Sequence, residues 1–409
     1  MFQRVTGTTD FYPEEKLTQK RIFDNLRNTA LRYNYQEIEF PTLEYLDALT
    51  QKQGDEIKQQ IFVLEKRGSE ECGLRFEGTV SAVRMFVAKQ RELKRPTKWF
   101  YIDKNWRYER PQKGRLREFY QFGVEVFGSE RPEADAEIIN LAVDSLLSNG
   151  LKYSDLKVLV NNRYLIQELL SFTGSKYDQV LALIDKRKKI RTEEFEKELK
   201  NIEVDARKVT KIIDCRSVED IEKLCTTEKA KKEFAIIKKV ITLLPRECSA
   251  IDLTIVRGLS YYTGIVFEIF DKNFKYRALA GGGRYDNSIE NSGGEKCPAT
   301  GFGMGFSTLT LLLEEKGLMP NSKQELDYYV IAVDDSTRDK AFEICEKLRK
   351  KASAEIELTG KSMGKQLEMA NYFKARRMVF VGPEELKTNT VKIKDTKTGK
   401  EDRVKTNEL

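Results

Sequence analysis

The sequence predicts an α+β fold that carries a helical insertion and ends in a small α/β domain. Three stretches of the 409 residues point there. Residues 98–128 read as two strands of aromatic and β-branched residues joined by a charged loop holding Pro111 and Gly114. From about 163 to 245, glycine nearly vanishes after Gly174, and Lys/Glu-rich helical stretches such as TEEFEKELKNIEVDARKVTKII dominate. Residues 328–409 run strand, helix, strand, helix, strand, the order of a largely parallel sheet.

The elements follow in order. Residues 13–34 open with Pro13 and Glu14-Glu15 and carry Leu17, Ile22, Leu26, Ala30 and Leu31 at helical spacing. Tyr35 to Pro41 reads as a strand ending in proline, Gln60 to Leu64 as a short strand, and Leu74 to Lys89 as strand passing into helix through Glu77-Gly78-Thr79. In the second hairpin strand Phe119, Gln121, Gly123, Glu125 and Phe127 alternate with Tyr120, Phe122, Val124 and Val126. The hairpin is expected to bring Arg107 and Glu109 on one strand within reach of Gln121 and Glu125 on the other. Residues 131–152 read as a helix and 251–313 return to strands and glycine. About 317–327 reads as a linker. The charged helical stretch fits either a solvated helical hairpin or an RNA contact, and charge alone does not choose.

Composition narrows the chemistry. The hydrophobic fraction of 40% and charged fraction of 33% describe a soluble globular chain. A net charge of +7 is compatible with a polyanionic partner. No apolar run approaches the roughly 18 residues that span a bilayer, and MFQRVTGTTDFYPEE lacks a signal peptide's apolar core, so a cytoplasmic protein is expected. The six cysteines are scattered without CxxC spacing, which argues against a zinc site or disulfide framework. There is no histidine. That removes imidazole bases, Ser-His or Cys-His nucleophiles and histidine-ligated metals. Catalysis must rest on carboxylates, Arg, Lys, Tyr, an oxygen-held metal or the substrates themselves.

The hairpin's inventory suits a nucleotide: arginine forks for phosphate, an aromatic face for the base, a carboxylate for an amine. A salt-bridged surface hairpin is the plainer reading of the same charges. The order RYERPQKGRLREFYQ (107–121) decides between them: it resembles motif 2 of class II aminoacyl-tRNA synthetases, in the form seen in the histidyl-tRNA synthetase family. LRFEGT (74–79) is similar to that family's LRPEGT, with Phe76 where proline is usual. VRGLSYYTGIVFE (256–268) resembles a block peculiar to the family, with Ser260 where an aspartate is common. AGGGRYD (280–286) resembles its glycine-rich turn, and TGFGMGFSTLTLLLEE (300–315) resembles motif 3, with Thr308 where class II enzymes usually place an arginine. Residues 13–41, a long helix and a strand closed by Pro41, resemble motif 1, which builds the dimer interface.

The resemblance implies a role for each matching residue. Arg107 binds the α-phosphate of ATP, Glu109 the adenine amine, Arg115 the γ-phosphate, and Phe119 stacks on adenine. Glu77 and Thr79 hold the α-amino group of histidine, Gln121 contacts the amino acid, Glu125 accepts from its imidazole, and Tyr261 and Tyr262 wall that pocket. Arg257 is the fixed cation between the amino acid carboxylate and the α-phosphate, and Gln112 contacts tRNA. No protein metal site is implied; Mg²⁺ bridges the phosphates. With Thr308 uncharged, nucleotide binding leans on Arg107, Arg115 and Arg257.

The implied architecture is a class II catalytic domain, a mostly antiparallel sheet flanked by helices, in residues 1–160 and 248–318. Residues 161–247 form the helical insertion and 328–409 an anticodon-binding α/β domain. The implied activity is ATP-dependent activation of histidine and its transfer to the 3′ end of tRNA(His), by a homodimer. The rival is a non-catalytic synthetase-like paralogue, either the regulatory subunit of ATP phosphoribosyltransferase or an RNA-binding sensor. Such a paralogue need not keep Glu77, Arg107 and Arg257 together.

Overall fold

The computed structural model describes residues 2–50, 55–66, 68–187, 190–256, 261–321 and 325–409. The chain divides into two units, residues 1–11 with 19–320 and residues 12–18 with 321–409. Along the first run the helix α1 (Pro13–Arg32), β1 (Gln36–Glu37), β2 (Leu43–Tyr45), α2 (Leu46–Thr50), α3 (Asp55–Gln60), β3 (Phe62–Val63), β4 (Cys72–Leu74) and α4 (Thr79–Lys89). The hairpin β5 (Thr97–Trp106) and β6 (Glu118–Phe127) and then α5 (Pro132–Leu147) and β7 (Leu156–Asn162) follow. Six helices come next: α6 (Arg163–Leu169), α7 (Tyr177–Lys186), α8 (Thr192–Asn201), α9 (Ala206–Ile213), α10 (Val218–Leu224) and α11 (Glu228–Thr242). The unit closes with β8 (Ser249–Ile251), β9 (Ile265–Asp271), β10 (Ala280–Arg284), α12 (Ser288–Asn291), β11 (Ala299–Gly305) and α13 (Phe306–Glu315).

Eight of these strands make one sheet in the order β1-β5-β6-β11-β10-β9-β7-β8. Its outermost pairs, β1 with β5 and β7 with β8, are parallel, and the pairs between them are antiparallel. The hairpin's alternation sorts its residues as expected. Phe122, Val124 and Val126 enter the core under α1 and α5, while Phe127 and Tyr101 enter a second cluster with α4. The same first core takes in Val180, Phe195, Val209 and Phe234, so the inserted helices bury their apolar faces against the sheet's own core. Each fully buried Ile, Leu or Phe there contributes about 2 kcal/mol. The strand expected over 35–41 is shorter, just β1; Tyr35 and Phe40 on either side are buried instead.

Arg284 of β10 ties the glycine-rich strand to α5. It forms an ion pair of 2.7 Å with the buried Asp135 and one of 3.2 Å with Asp286. Asp135 stands in the first turn of α5, where Pro132 and Glu133 also favour helix initiation.

The second unit holds β12 (Tyr328–Ala332), α14 (Arg338–Arg349), β13 (Ala354–Ile356), α15 (Met363–Tyr372), β14 (Arg377–Val381), α16 (Pro383–Lys387), β15 (Thr390–Asp395) and β16 (Glu401–Lys405). Its sheet runs β13-β12-β14-β15-β16, parallel across the first three and antiparallel beyond. The β-α-β-α-β order is present, and the β15–β16 hairpin is an addition to it. Among the described residues no helix is long and apolar enough to cross a membrane.

Candidate active site

The hairpin's pleat sets up the site. Tyr101, Asp103 and Asn105 share a face with Phe119, Gln121, Gly123 and Glu125, because the register pairs Tyr101 with Gly123, Asp103 with Gln121 and Asn105 with Phe119. Arg107 and Glu109 do not lie on the strand. β5 ends at Trp106, and Arg107 continues the face from the loop, its backbone N–H donating to the Arg117 carbonyl at 2.9 Å. Pro111 has no N–H to extend the ladder, and the strand pairing stops before it. Gln112 and Arg115 close its tip as a small bridge, with the Gln112 side chain exposed.

A cavity of about 980 Å³ opens over this face. Its floor is β6 and β11, and its walls come from the Glu77–Thr79 turn, the hairpin loop, the β9–β10 connection and the start of α13. Residues of the inserted helices, including Arg187 and Arg216, reach its rim. Of the expected residues, Glu77, Thr79, Arg107, Glu109, Arg115, Phe119, Gln121, Tyr261 and Tyr262 all line this one cavity. Arg257 and Ser260 fall outside the described residues.

The nucleotide-type groups cluster at one end. The Arg107 guanidinium stacks over the Phe119 ring, 5.3 Å from its centroid, and donates from Nε to the Phe76 carbonyl at 3.0 Å. Arg115 grips Glu109 with two hydrogen bonds. Burial alone would raise the Glu109 carboxyl, but the Arg115 fork outweighs it and holds the group below the usual range. Thr308 lies in the cavity wall on the first turn of α13 and is buried.

At the other end stands Glu125, 1% exposed. Its Oε1 faces the hydroxyls of Thr79 at 2.9 Å and Tyr101 at 3.4 Å, and its Oε2 faces that of Tyr285. Burial pushes its carboxyl up to about 8, because the three hydroxyls only partly replace the lost water and nearby Glu77 repels its charge. Burial, and then Glu125, push the phenols of Tyr101 and Tyr285 well above their usual value. Tyr261 donates to Glu77 at 3.2 Å, and its ring meets that of Tyr262 at 4.8 Å. Gln121 accepts from Asn105 at 3.1 Å.

Two glycines of β11 make room for these side chains. A Cβ on Gly301 would stand 2.1 Å from the Glu125 carboxylate oxygen, and one on Gly303 would stand 1.9 Å from the Gln121 amide. Both side chains lie flat across bare backbone, which only glycine allows. Sequence reasoning gave no role to Tyr101, Tyr285, Arg277 or Glu268, all of which hold Glu125 or line the cavity. Tyr285 was within sight in GGGRYD and Glu268 at the end of VRGLSYYTGIVFE; Tyr101 and Arg277 carry no local pattern.

Known proteins resemble the chain along its length. The family model described as "Histidyl-tRNA synthetase" matches residues 7–309, and that of the "Anticodon binding domain" matches 327–409. The "Histidine--tRNA ligase" of Pyrococcus abyssi is 39% identical over 98% of this chain and 95% of its own length. That of Pyrococcus horikoshii is 37% identical over 100% and 98%. Among solved structures, a histidyl-tRNA synthetase from Nostoc sp. PCC 7120 superposes with a TM-score of 0.82 at 22% identity, over 100% of this chain and 98% of that one. A Bacillus halodurans chain titled "ATP phosphoribosyltransferase regulatory subunit/histidyl-tRNA synthetase" gives 0.76 at 24% identity, over 93% and 98%. At such identities the two structures speak for the fold.

Proposed function

The chain belongs to the histidyl-tRNA synthetase family, and from that premise we propose that it activates histidine with ATP and transfers it to tRNA(His). One observation carries the reading: a single cavity joins a phosphate-type end, Arg107 over Phe119 beside Arg115, to an amino-acid-type end, Glu77 with Tyr261 and Gln121, behind which Glu125 is held by the lining residues Thr79 and Tyr285. A paralogue freed from catalysis has no physical need to keep both ends in register.

In the proposed first step a carboxylate oxygen of histidine attacks the α-phosphorus of ATP. The bond from that phosphorus to the bridging oxygen breaks, and pyrophosphate leaves with the electron pair. In the second step a hydroxyl of the tRNA's terminal ribose attacks the adenylate's carbonyl carbon; the bond from that carbon to the phosphate oxygen breaks, and AMP leaves with the electron pair and takes up the hydroxyl's proton. Neither step needs a protein nucleophile; positioning and charge supply the rate. Arg107 holds the α-phosphate and Phe119 and Glu109 hold the adenine, which requires Glu109 to give up part of its grip on Arg115 and frees Arg115 for phosphate. Glu77 and Thr79 take the α-amino group, and Glu125 with Gln121 faces the imidazole. Arg257 is the cation at the reacting centre.

Among the described residues no group of three or more carboxylate or thiol ligands converges. Of the carboxylates that line the cavity, Glu109 and Glu268 are the ones proposed to stand near an ion carried by the nucleotide. Mg²⁺ held there with the nucleotide would supply further positive charge against the leaving pyrophosphate.

Residues 1–160 and 248–318 are proposed as the catalytic domain, 161–247 as its insertion and 328–409 as the anticodon-binding domain, in a cytoplasmic homodimer. Three exposed apolar side chains on one small sheet, Leu43, Tyr45 and Val63, with exposed Leu64 just past its edge, support an apolar subunit contact. Gln112, exposed at the loop tip, is proposed to meet the tRNA. The direct test is histidine-dependent exchange of pyrophosphate into ATP by the purified chain. Absence of exchange, with the chain folded, would remove the activity.

A further inference from the structure

The wall of the cavity holds a cation that no sequence motif marks. Arg277 lies on the connection between β9 and β10, two residues before Leu279. The Leu279 carbonyl accepts from the Gly305 N–H at 3.2 Å, immediately before α13. This tether carries Arg277 along the wall to which Thr308 also contributes. The hairpin loop lies close to this wall: a Cβ on Gly114 would stand 3.8 Å from the Thr308 hydroxyl and 3.3 Å from Leu311. Arg277 is therefore a cation of the same cavity whose wall carries the uncharged Thr308.

The surroundings of Arg277 favour an anion. Its side chain is exposed and lines the cavity. The surrounding protein and then Arg115 disfavour its charge, Glu109 favours it, Arg107 disfavours it and Glu268 favours it. Glu109 is committed to Arg115 through two hydrogen bonds, and among the described residues Arg277 forms no ion pair of its own. Three guanidinium groups thus share one wall with two carboxylates. Holding like charges together is unfavourable until a polyanion joins them.

We propose that Arg277 is a nucleotide-binding residue of this site, paired with Arg115 to hold the β- and γ-phosphates of ATP and the pyrophosphate that leaves. This deepens the activity proposed above and rests on it. Arg107, fixed by the Phe119 ring and the Phe76 carbonyl, keeps the α-phosphate, and Arg277 on the β9–β10 side of the same cavity is left for the outer phosphates.

The test replaces Arg277 by Met in the full chain. The Michaelis constants for ATP and for pyrophosphate in the exchange reaction should each rise about tenfold, the loss of one charge-assisted contact. That for histidine should stay within about twofold. Affinity for a non-hydrolysable histidyl-adenylate analogue, which has no outer phosphates, should not change. The melting temperature without nucleotide should hold or rise, because a repulsion is removed. Arg277→Lys should recover part of the ATP effect. An unchanged ATP constant would overturn the proposal. So would a joint loss of analogue binding and of nucleotide-free stability, which would mark a structural residue. If the unmodified chain shows no histidine-dependent exchange, it is the proposed activity that fails. Arg277 is then judged by the rise in melting temperature that ATP alone induces: its loss in the Met variant supports the assignment and its persistence overturns it.

Discussion

Replacing Glu125 by Gln separates charge from shape at the most deeply buried acid of the site. Its carboxyl titrates near 8 in the folded chain against 4.5 for a free group. Between those values the folded state holds a proton that the unfolded state has lost. The stability this group contributes is therefore complete below about pH 4.5 and is lost as pH rises toward 8, at up to about 1.4 kcal/mol per pH unit. Glutamine fills the same space, keeps a carbonyl oxygen for the Thr79 and Tyr101 hydroxyls, and cannot ionise. Its NH₂ can donate to the Tyr285 oxygen once that hydroxyl turns. Urea unfolding at pH 5.5, 6.5 and 7.5 would compare the two chains. Both tryptophans, Trp99 and Trp106, stand on β5, so intrinsic fluorescence reports on this unit. Trp99 sits directly across from Glu125 in the ladder. The stability of the wild type relative to the variant should fall steadily with pH. Parallel curves would refute the argument, because they would mean that Glu125 binds no extra proton on folding. In kinetics the same variant should weaken histidine use about tenfold, the worth of one buried hydrogen bond, and leave ATP use nearly unchanged. Equal effects on both would reduce Glu125 to a structural residue.

Three more perturbations test other parts of the site. Gly303→Ala should push the Gln121 amide out of place, raising the Michaelis constant for histidine and costing about 1–3 kcal/mol of stability; a variant with normal histidine kinetics would show that Gln121 has no fixed position to lose. Arg257→Ala should slow adenylate formation at least about 100-fold, near 2.7 kcal/mol of barrier, in single-turnover measurements on a folded chain; near-normal rates would remove the cation assigned to the reacting centre. Removing residues 328–409 should spare pyrophosphate exchange and damage tRNA charging, and unchanged charging by the shortened chain would leave that domain without a part in tRNA binding.

What was legible in the sequence was local. The alternation from Phe119 to Phe127 assigns each residue to a face of the sheet, because strand period is a property of neighbouring residues. The loop was legible as a loop, but not the point at which the strand stops, so Arg107 and Glu109 were placed one element too early. The β15–β16 hairpin was missed although Thr390–Asp395 alternates and Gly399 sits in its turn with a positive φ of 73°. Its faces alternate lysine with valine and isoleucine, and the run of charge masks the pattern. Least legible was the cage around Glu125. Thr79 lies 46 residues away and Tyr285 lies 160. No spacing rule links them; the sheet order brings them together by placing β11 between β6 and β10. Arg277 was hidden for the same reason, since a lone arginine in a loop gains meaning only from the walls around it.

A histidine-handling site in a chain without histidine has a physical consequence. When histidine binds, the imidazole in the cavity belongs to the substrate. With Glu125 in its proposed place facing that ring, protons in the neutral range would be shared between the ring and this carboxyl, which the fold pushes to about 8. Three hydroxyls already surround this carboxyl, so a proton on it can be matched by turning one of them at little cost. On that proposal the cage would present an acceptor or a donor to the ring without moving a heavy atom. An amino acid of similar size but no ring N–H offers neither, and it would leave a buried polar group unpaired. Selectivity for an imidazole therefore needs no imidazole in the protein. It needs one acid whose charge is held in balance by burial, and β-strands with enough glycine to let that acid lie flat.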